Sequence, residues 1–347
     1  MIRTITIDEF FRLPDAVPLA DVRTPAEFAH GHIPGAFNLP LFSNEERVLV
    51  GTTYKQVGRE EAILLGFDLT GSKWSGFIKY ALESAPDKKV AVHCWRGGMR
   101  SGAMAWALDL YGFEVYLIEG GYKNFRRFAL NQFTRTADLM ILGGKTGSGK
   151  TRILHELMLL GEQVIDLENL AQHQGSSYGT MNKMIQPTQE QFENNLAFQL
   201  KNLDRAKRTW VEDESRNIGK LNIPTPFFNQ MSSAMLVDIN VGLEQRVQAL
   251  TTEYGQLDKT FLTTCTGRIH KRLGPLQTKQ AIAAIQEGNM EEFIRIVLVY
   301  YDKTYGKDIA KRSAEKVLSL DLMSKETAEN ARQILKFTTN IPAPAQA

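Results

Sequence analysis

Residues Leu139-Met140-Ile141-Leu142 form a short apolar run, and Gly143-Gly144-Lys145-Thr146-Gly147-Ser148-Gly149-Lys150-Thr151 follows it without a gap. A glycine at 144, four residues, then Gly149-Lys150-Thr151 is the spacing of a phosphate-binding loop, and Ile153-Leu154-His155-Glu156-Leu157-Met158 continues it as an amphipathic helix. No other stretch restricts the fold as much. A strand must end beneath the loop and a helix must begin at the phosphate, which together demand an α/β domain with a parallel sheet. Glycines at 144, 147 and 149, interleaved with Lys145, Thr146 and Ser148, let successive N–H groups face phosphate oxygens. Lys150 neutralises the outer phosphates and Thr151 offers a hydroxyl to Mg²⁺. The expected ligand carries a di- or triphosphate.

The chain beyond this loop supplies acids for the same sheet edge. Val164-Ile165-Asp166-Leu167-Glu168 reads as the next strand, tipped by Asp166 and Glu168. Thr209-Trp210-Val211 reads as another, ending in Glu212, Asp213 and Glu214, with Asp213 the candidate second Mg²⁺ ligand and Arg216 expected to face phosphate. His173 and Gly175-Ser176-Ser177-Tyr178-Gly179 form a loop expected either to connect elements or to line a substrate cleft. Basic residues recur at Arg205 and Arg208, and again at Arg268, Lys271 and Arg272, with aromatics nearby at Trp210, Tyr300, Tyr301 and Tyr305. They are candidates for an RNA surface, against the plainer reading of a solvated helix face. From about Ala314 a helical stretch is expected, then a disordered tail over 336–347.

The first part of the chain has its own focus. Val90-Ala91-Val92 leads into His93-Cys94-Trp95-Arg96-Gly97-Gly98-Met99-Arg100-Ser101, and a helical run follows. A cysteine between strand and helix, in a loop with two glycines, meets inward N–H groups and a helix N-terminus, both of which favour the thiolate. Cys94 is therefore a candidate nucleophile or carrier of a transferable atom, with Arg96 and Arg100 supplying positive charge. Cys265 has no such setting and reads as structural. Thr24-Pro25-Ala26-Glu27 predicts a capped helix start, and Gly31-His32-Ile33-Pro34-Gly35 an ordered loop. Arg59 to Gly66 has helical spacing with Gly66 as its stop, and Tyr54, Lys55 and Arg59 are candidates for the mouth of the Cys94 loop, against a plain surface insertion.

At 347 residues the length favours two domains: 1–130, a linker at 131–137, and 138–335. With 41 basic and 39 acidic residues, bulk charge does not announce a nucleic-acid binder. Neither cysteine has zinc spacing, no apolar run reaches a membrane span, and no signal-peptide layout opens the chain, so a cytoplasmic location is expected.

Asp21-Val22-Arg23, Glu27-Phe28, Gly31-His32-Ile33-Pro34-Gly35-Ala36, the Cys94 loop and Glu119-Gly120-Gly121-Tyr122, in that order, resemble a rhodanese domain. One departure is the six-position step from Cys94 to Arg100, where a common sulfurtransferase loop has five; His93-Cys94-x5-Arg100-Ser101 also fits a phosphatase signature. The expected fold is thus a rhodanese-like parallel-sheet domain followed by a P-loop NTPase-like α/β domain with a helical C-terminal part. With Gly51-Thr52-Thr53-Tyr54-Lys55-Gln56, the phosphate loop, Gly175 to Gly179 and Glu212-Asp213-Glu214-Ser215-Arg216, the chain resembles the tRNA 2-selenouridine synthases. That resemblance implies a transferase that geranylates wobble 2-thiouridine with geranyl diphosphate and then replaces the sulfur with selenium from selenophosphate, Cys94 carrying the selenium. It implies a tRNA anticodon loop as substrate, a selenophosphate-producing enzyme as functional partner, no tightly bound cofactor beyond possible Mg²⁺, and no membrane. A P-loop kinase or NTPase fused to a sulfurtransferase, and a Cys-dependent phosphatase, are the alternatives.

Overall fold

The computed structural model describes residues 1–13, 17–174, 178, 184–339 and 341. Two compact units result: Met1–Gln132 with Glu193–Phe198, and Phe133–Phe192 with Gln199–Ala347.

The first unit contains, in order, β1 (Ile2–Ile5), α1 (Ile7–Phe10), β2 (Leu19–Asp21), α2 (Pro25–His30), β3 (Ala36–Asn38), α3 (Asn44–Gln56), α4 (Arg59–Thr70), α5 (Trp74–Ser84), β4 (Lys89–His93), α6 (Met99–Leu110), β5 (Glu114–Ile118) and α7 (Gly121–Gln132). Its sheet has the order β1-β5-β4-β2-β3 and is parallel throughout. A parallel sheet is covered on both faces, so its strands carry continuous apolar runs. Val90, Ala91 and Val92 in β4 are fully buried, and Val90 and Val92 pack with Met104 and Leu108 of α6. The helix start at Thr24 forms as its sequence dictates: the Thr24 hydroxyl accepts from the Glu27 N–H, the Glu27 carboxylate accepts from the Thr24 N–H, and Pro25 takes the first helical position. Gly66 does not end its helix: α4 runs on to Thr70, whose hydroxyl bonds back to the Gly66 carbonyl at 2.8 Å within an unbroken turn.

The chain continues, in the second unit except for residues 193–198 of α10, with β6 (Leu139–Gly144), α8 (Lys150–Leu159), β7 (Gln163–Ile165), α9 (Leu167–Ala171), α10 (Gln189–Asn202), β8 (Thr209–Glu212), the hairpin β9 (Asn217–Ile218) and β10 (Leu221–Asn222), α11 (Thr225–Ser233), β11 (Met235–Asn240), α12 (Leu243–Tyr254), α13 (Lys259–Arg268), α14 (His270–Leu273), α15 (Pro275–Glu287), α16 (Met290–Ile309), β12 (Val317–Asp321) and α17 (Thr327–Thr338). The main sheet is again parallel, in the order β12-β11-β6-β8-β7. Every residue of β6 is buried, as expected of a central strand. Helices α12 to α16 enclose a separate apolar cluster that includes Leu262, Cys265, Ile285, Phe293 and Val297. Burial raises the Cys265 thiol, which fits its structural reading.

Three more expectations change. The strand predicted over 164–168 stops at Ile165, because Asp166 turns the chain and N-caps α9 by accepting from the Asn169 N–H at 2.8 Å. The helical stretch expected from Ala314 opens with one 3-10 turn and then a strand, β12, paired with β11. Helix α17 reaches Thr338, past the start of the expected tail at 336. Residues 340 and 342–347 lie outside the described residues, as do 175–177 and 179–183, so Ser176 and Ser177 cannot be placed. No described helix is long and apolar enough to cross a membrane.

Candidate active site

Cys94 follows directly on β4, the middle strand of the first sheet, at the C-terminal edge where ligands of parallel sheets bind. Its sulfur is buried and accepts hydrogen bonds from the Gly98 N–H at 3.3 Å and the Ser101 hydroxyl at 3.2 Å. Burial alone would raise the thiol. The Ser101 hydroxyl and the N–H groups of Arg96, Ser101 and Gly98 outweigh it and hold Cys94 below its ordinary value. The sequence names the cysteine and its glycines, but the Ser101 hydroxyl as a direct donor emerges only in the fold.

The loop keeps its shape by docking on the turn between β5 and α7. The Tyr122 and Lys123 N–H groups donate to the carbonyls of Cys94 and Trp95 at 2.9 and 3.0 Å. Gly97 and Gly121 both have positive φ, and a Cβ on Gly121 would lie 2.3 Å from the Cys94 oxygen. Below the loop, Arg23 and Asp21 form a fully enclosed ion pair at 2.6 Å; Arg23 also donates to the Gly31 carbonyl and lies 3.7 Å from the centre of the Tyr122 ring. This explains the Asp-Val-Arg pattern physically: the pair and the cation–π stack fix the floor of the loop. His93 packs beside it, and burial, opposed by Asp21, holds its imidazole below the ordinary value.

The two loop arginines differ. Arg96 is exposed and makes no ion pair among the described residues, whereas Arg100 is held by Glu27 at 2.7 and 3.4 Å. Glu27 thus serves both the cap of α2 and the guanidinium at the loop. Tyr54 and Lys55 at the end of α3, and Arg59 at the start of α4, are exposed, and no hydrogen bond or ion pair joins them to residues 93–101.

In the second unit the phosphate loop joins β6 to α8. Gly144, Gly147 and Gly149 all take positive φ, and the Gly144 and Gly147 positions are also filled around, by Ile239 and Leu250. Lys150 Nζ donates to the Gly144 carbonyl at 2.8 Å, which folds the ammonium over the loop. The Ser148 hydroxyl is buried with no partner among the described residues. Lys145 and Thr146 are partly exposed along the loop.

Acids crowd the adjoining edge. Thr151 donates to Glu168 at 3.0 Å, and Glu212 accepts from the Glu168 N–H at 2.7 Å. Burial, then mutual repulsion among Glu168, Glu214 and Asp166, raises Glu212 well above the carboxylate range, and burial with Glu168 pushes Glu214 up to about 8. Burial also raises Glu168, against the pull of Lys150 and Thr151. Asp166 receives His155 Nε2 at 2.7 Å. Asp213 pairs with Arg312 at 2.9 Å; burial raises it nonetheless. Of the two positions offered for Mg²⁺, Thr151 is therefore engaged by Glu168 and Asp213 by Arg312, and no set of three His, Cys, Asp or Glu among the described residues is arranged to hold a metal.

Arg216 does not meet the phosphate loop: it is exposed beside the β9–β10 hairpin and donates to Thr225 at 2.8 Å. Arg205 and Arg208 are likewise spent on backbone, Arg205 on the carbonyls of Thr136 and Leu200, Arg208 on those of Thr338 and Ile341. Arg268, Lys271 and Arg272 are exposed at and after the end of α13.

Residues 6–128 match the family model of the rhodanese-like domain, and residues 137–335 that of the tRNA 2-selenouridine synthase AAA domain. The tRNA 2-selenouridine synthase of Nitrosomonas europaea is 40% identical over 75% of this chain and 68% of its own. That of Hydrogenovibrio crunogenus is 36% identical over 89% of this chain and 94% of its own. That of Psychromonas ingrahamii is 33% identical over 85% and 89%. Two such domain matches in one order, and identity that runs through both units, place the chain in the tRNA 2-selenouridine synthase family.

Proposed function

We propose that the chain modifies the wobble 2-thiouridine of tRNA in two steps, geranylation with geranyl diphosphate and exchange of the S-geranyl group for selenium from selenophosphate. The observation that supports this best is the pair of anion-ready loops, one built on a thiol that hydrogen bonds hold below its ordinary value and one on a lysine-capped glycine loop. Both sit at C-terminal sheet edges, and both substrates other than RNA are phosphate-bearing anions.

In the first step the thiocarbonyl sulfur attacks C1 of the geranyl group, the C1–O bond breaks, and diphosphate leaves with the electron pair while the base loses its N3 proton. Residues Gly144 to Thr151 would hold the diphosphate by N–H groups and Lys150, which stabilise charge as it develops on the leaving group. No nucleotide hydrolysis is needed. A Mg²⁺ ion brought in with the diphosphate would have to take Thr151 from Glu168. In the second step selenium bonds to C2, geranylthiol leaves with the C–S electron pair and a proton, and water cleaves the Se–P bond to release phosphate. Selenium begins and ends in the same oxidation state. The Cys94 loop would seat selenophosphate, its N–H groups with Arg96 and Arg100 facing the oxyanions, and the Cys94 thiolate would take the proton of the water that cleaves the Se–P bond, with no bond formed between Cys94 and selenium. The reactive base must be unstacked, as anticodon-loop bases often are.

The test is nucleoside mass spectrometry on RNA bearing 2-thiouridine, incubated with each co-substrate singly and with both. Geranyl diphosphate alone should yield S-geranyl-2-thiouridine, and both together 2-selenouridine. Lys150→Ala should lose the first product, and Cys94→Ser only the second. Selenation by Cys94→Ser at the wild-type rate, or prenylation by Lys150→Ala at the wild-type rate, would remove the corresponding assignment.

A further inference from the structure

A phosphate loop that turns its N–H groups inward must turn carbonyls outward, and an enclosed carbonyl needs a donor. In this chain the donor for Thr146 comes from far along the sequence. Arg246 of α12 is 3% exposed, and its Nη1 donates to the Thr146 carbonyl at 3.2 Å. Its Nε donates to the Val241 carbonyl at 3.2 Å, and its Nη1 and Nη2 grip both oxygens of Asp302 on α16 at 2.9 and 2.7 Å. The same side chain walls the loop: a Cβ on Gly147 would lie 3.3 Å from the Arg246 Cβ.

One helical turn beyond Asp302, α16 touches the other flank. Tyr305 donates to Asp238 of β11 at 2.6 Å, and its hydroxyl occupies the space a Cβ on Gly143 would need, 2.7 Å away. Residues 302 and 305 are three apart and share a helix face. So a single face of α16 reaches both the strand entry of the cradle and, through Arg246, its middle.

We propose that Arg246 and Asp302 are positioning residues of the phosphate cradle, holding the Thr146 carbonyl outward so that the loop N–H groups stay aimed at the ligand. Neither touches the ligand itself. A planar guanidinium has the geometry for this task because it serves two carbonyls and a bidentate carboxylate at once, which an ammonium cannot. Asp302 keeps the enclosed cation compensated and its plane fixed. The inference rests on the reading of this loop as a diphosphate site.

The experiment is calorimetric titration of the full chain with inorganic pyrophosphate and, separately, ATP. Three variants are compared with wild type: Asp302→Asn, Arg246→Lys, and, as a control, Glu244→Gln, which breaks an exposed ion pair to Arg295 on the same α16. Asp302→Asn keeps the side-chain shape at a partly exposed position, and thermal melting establishes that it is folded. The expected result is a pyrophosphate affinity about tenfold weaker in Asp302→Asn and Arg246→Lys and unchanged in Glu244→Gln. In turnover, KM for geranyl diphosphate should rise in Asp302→Asn, while selenium exchange on RNA already geranylated keeps its rate. A folded Asp302→Asn protein that binds the phosphate ligand as wild type does would overturn the proposal. If wild type binds ATP but not pyrophosphate, and Asp302→Asn weakens ATP, the brace stands and the diphosphate reading falls.

Discussion

Ser101→Ala removes one hydroxyl and tests how the thiol loop works. The Ser101 Oγ to Cys94 Sγ hydrogen bond is 3.2 Å long and enclosed, and the Gly98 and Ser101 N–H groups that also reach the sulfur remain in the variant. A hydrogen bond to a charged partner contributes about 1.5–3 kcal/mol. At about 1.4 kcal/mol per pKa unit, its loss should raise the thiol by roughly one to two units. The assay is the rate of alkylation by iodoacetamide against pH, with Cys94→Ser as the blank for Cys265. The Ser101→Ala profile should shift to higher pH by that amount, and selenation at neutral pH should fall about tenfold or more while geranylation is unaffected. Coincident wild-type and Ser101→Ala profiles would refute the argument, because the backbone N–H groups alone would then suffice.

Glu214 holds its proton up to about 8 in the fold, through burial and repulsion from Glu168, whereas an unfolded glutamate releases it near about 4.3. The folded state therefore binds the extra proton, and this contribution to stability is full at low pH and lost as pH rises through about 8. Glu214→Gln should raise the melting temperature at pH 9 and give no gain at pH 4; an equal effect at both would contradict the assignment. Gly121→Ala forces a Cβ to within 2.3 Å of the Cys94 carbonyl at a positive φ, so it should lower the melting temperature and abolish selenation, which thermal melts and nucleoside analysis check. Reversing the exposed Lys271 and Arg272 to Glu should weaken tRNA binding and flatten its dependence on salt; unchanged salt-titrated affinity would make them a plain solvated face.

Much of the fold and both loops were legible because their requirements are local. The phosphate loop needs glycines and Lys150 within nine residues, and the thiol loop needs its glycines within four of Cys94, so spacing alone identifies them. Capping at Thr24 is local too. What escaped is what depends on contact across the chain. Arg246 meets Thr146 at a separation of 100 residues and Asp302 at 56, and nothing in either neighbourhood marks the pairing. Arg205 and Arg208 looked like a displayed basic cluster because charge is visible in sequence while the carbonyls that absorb it are not. Val164 and Ile165 set a β pattern that makes Asp166 read as a strand tip, and its competing role as a helix cap shows only when the Asn169 N–H is placed. The strand β12 was missed because five residues at the sheet edge, partly exposed, carry too little apolar signal to outweigh the helix that follows.

The docking of the thiol loop on the Gly120-Gly121 turn is backbone against backbone, with no side chain between them. Side-chain layers yield by changing rotamers; two peptide ribbons locked by hydrogen bonds do not. The seat at Cys94 should therefore act as a fixed gauge, admitting anions by whether they fit rather than by widening around them. What can still move is its rim, where Arg100 either stays with Glu27 or turns to the guest.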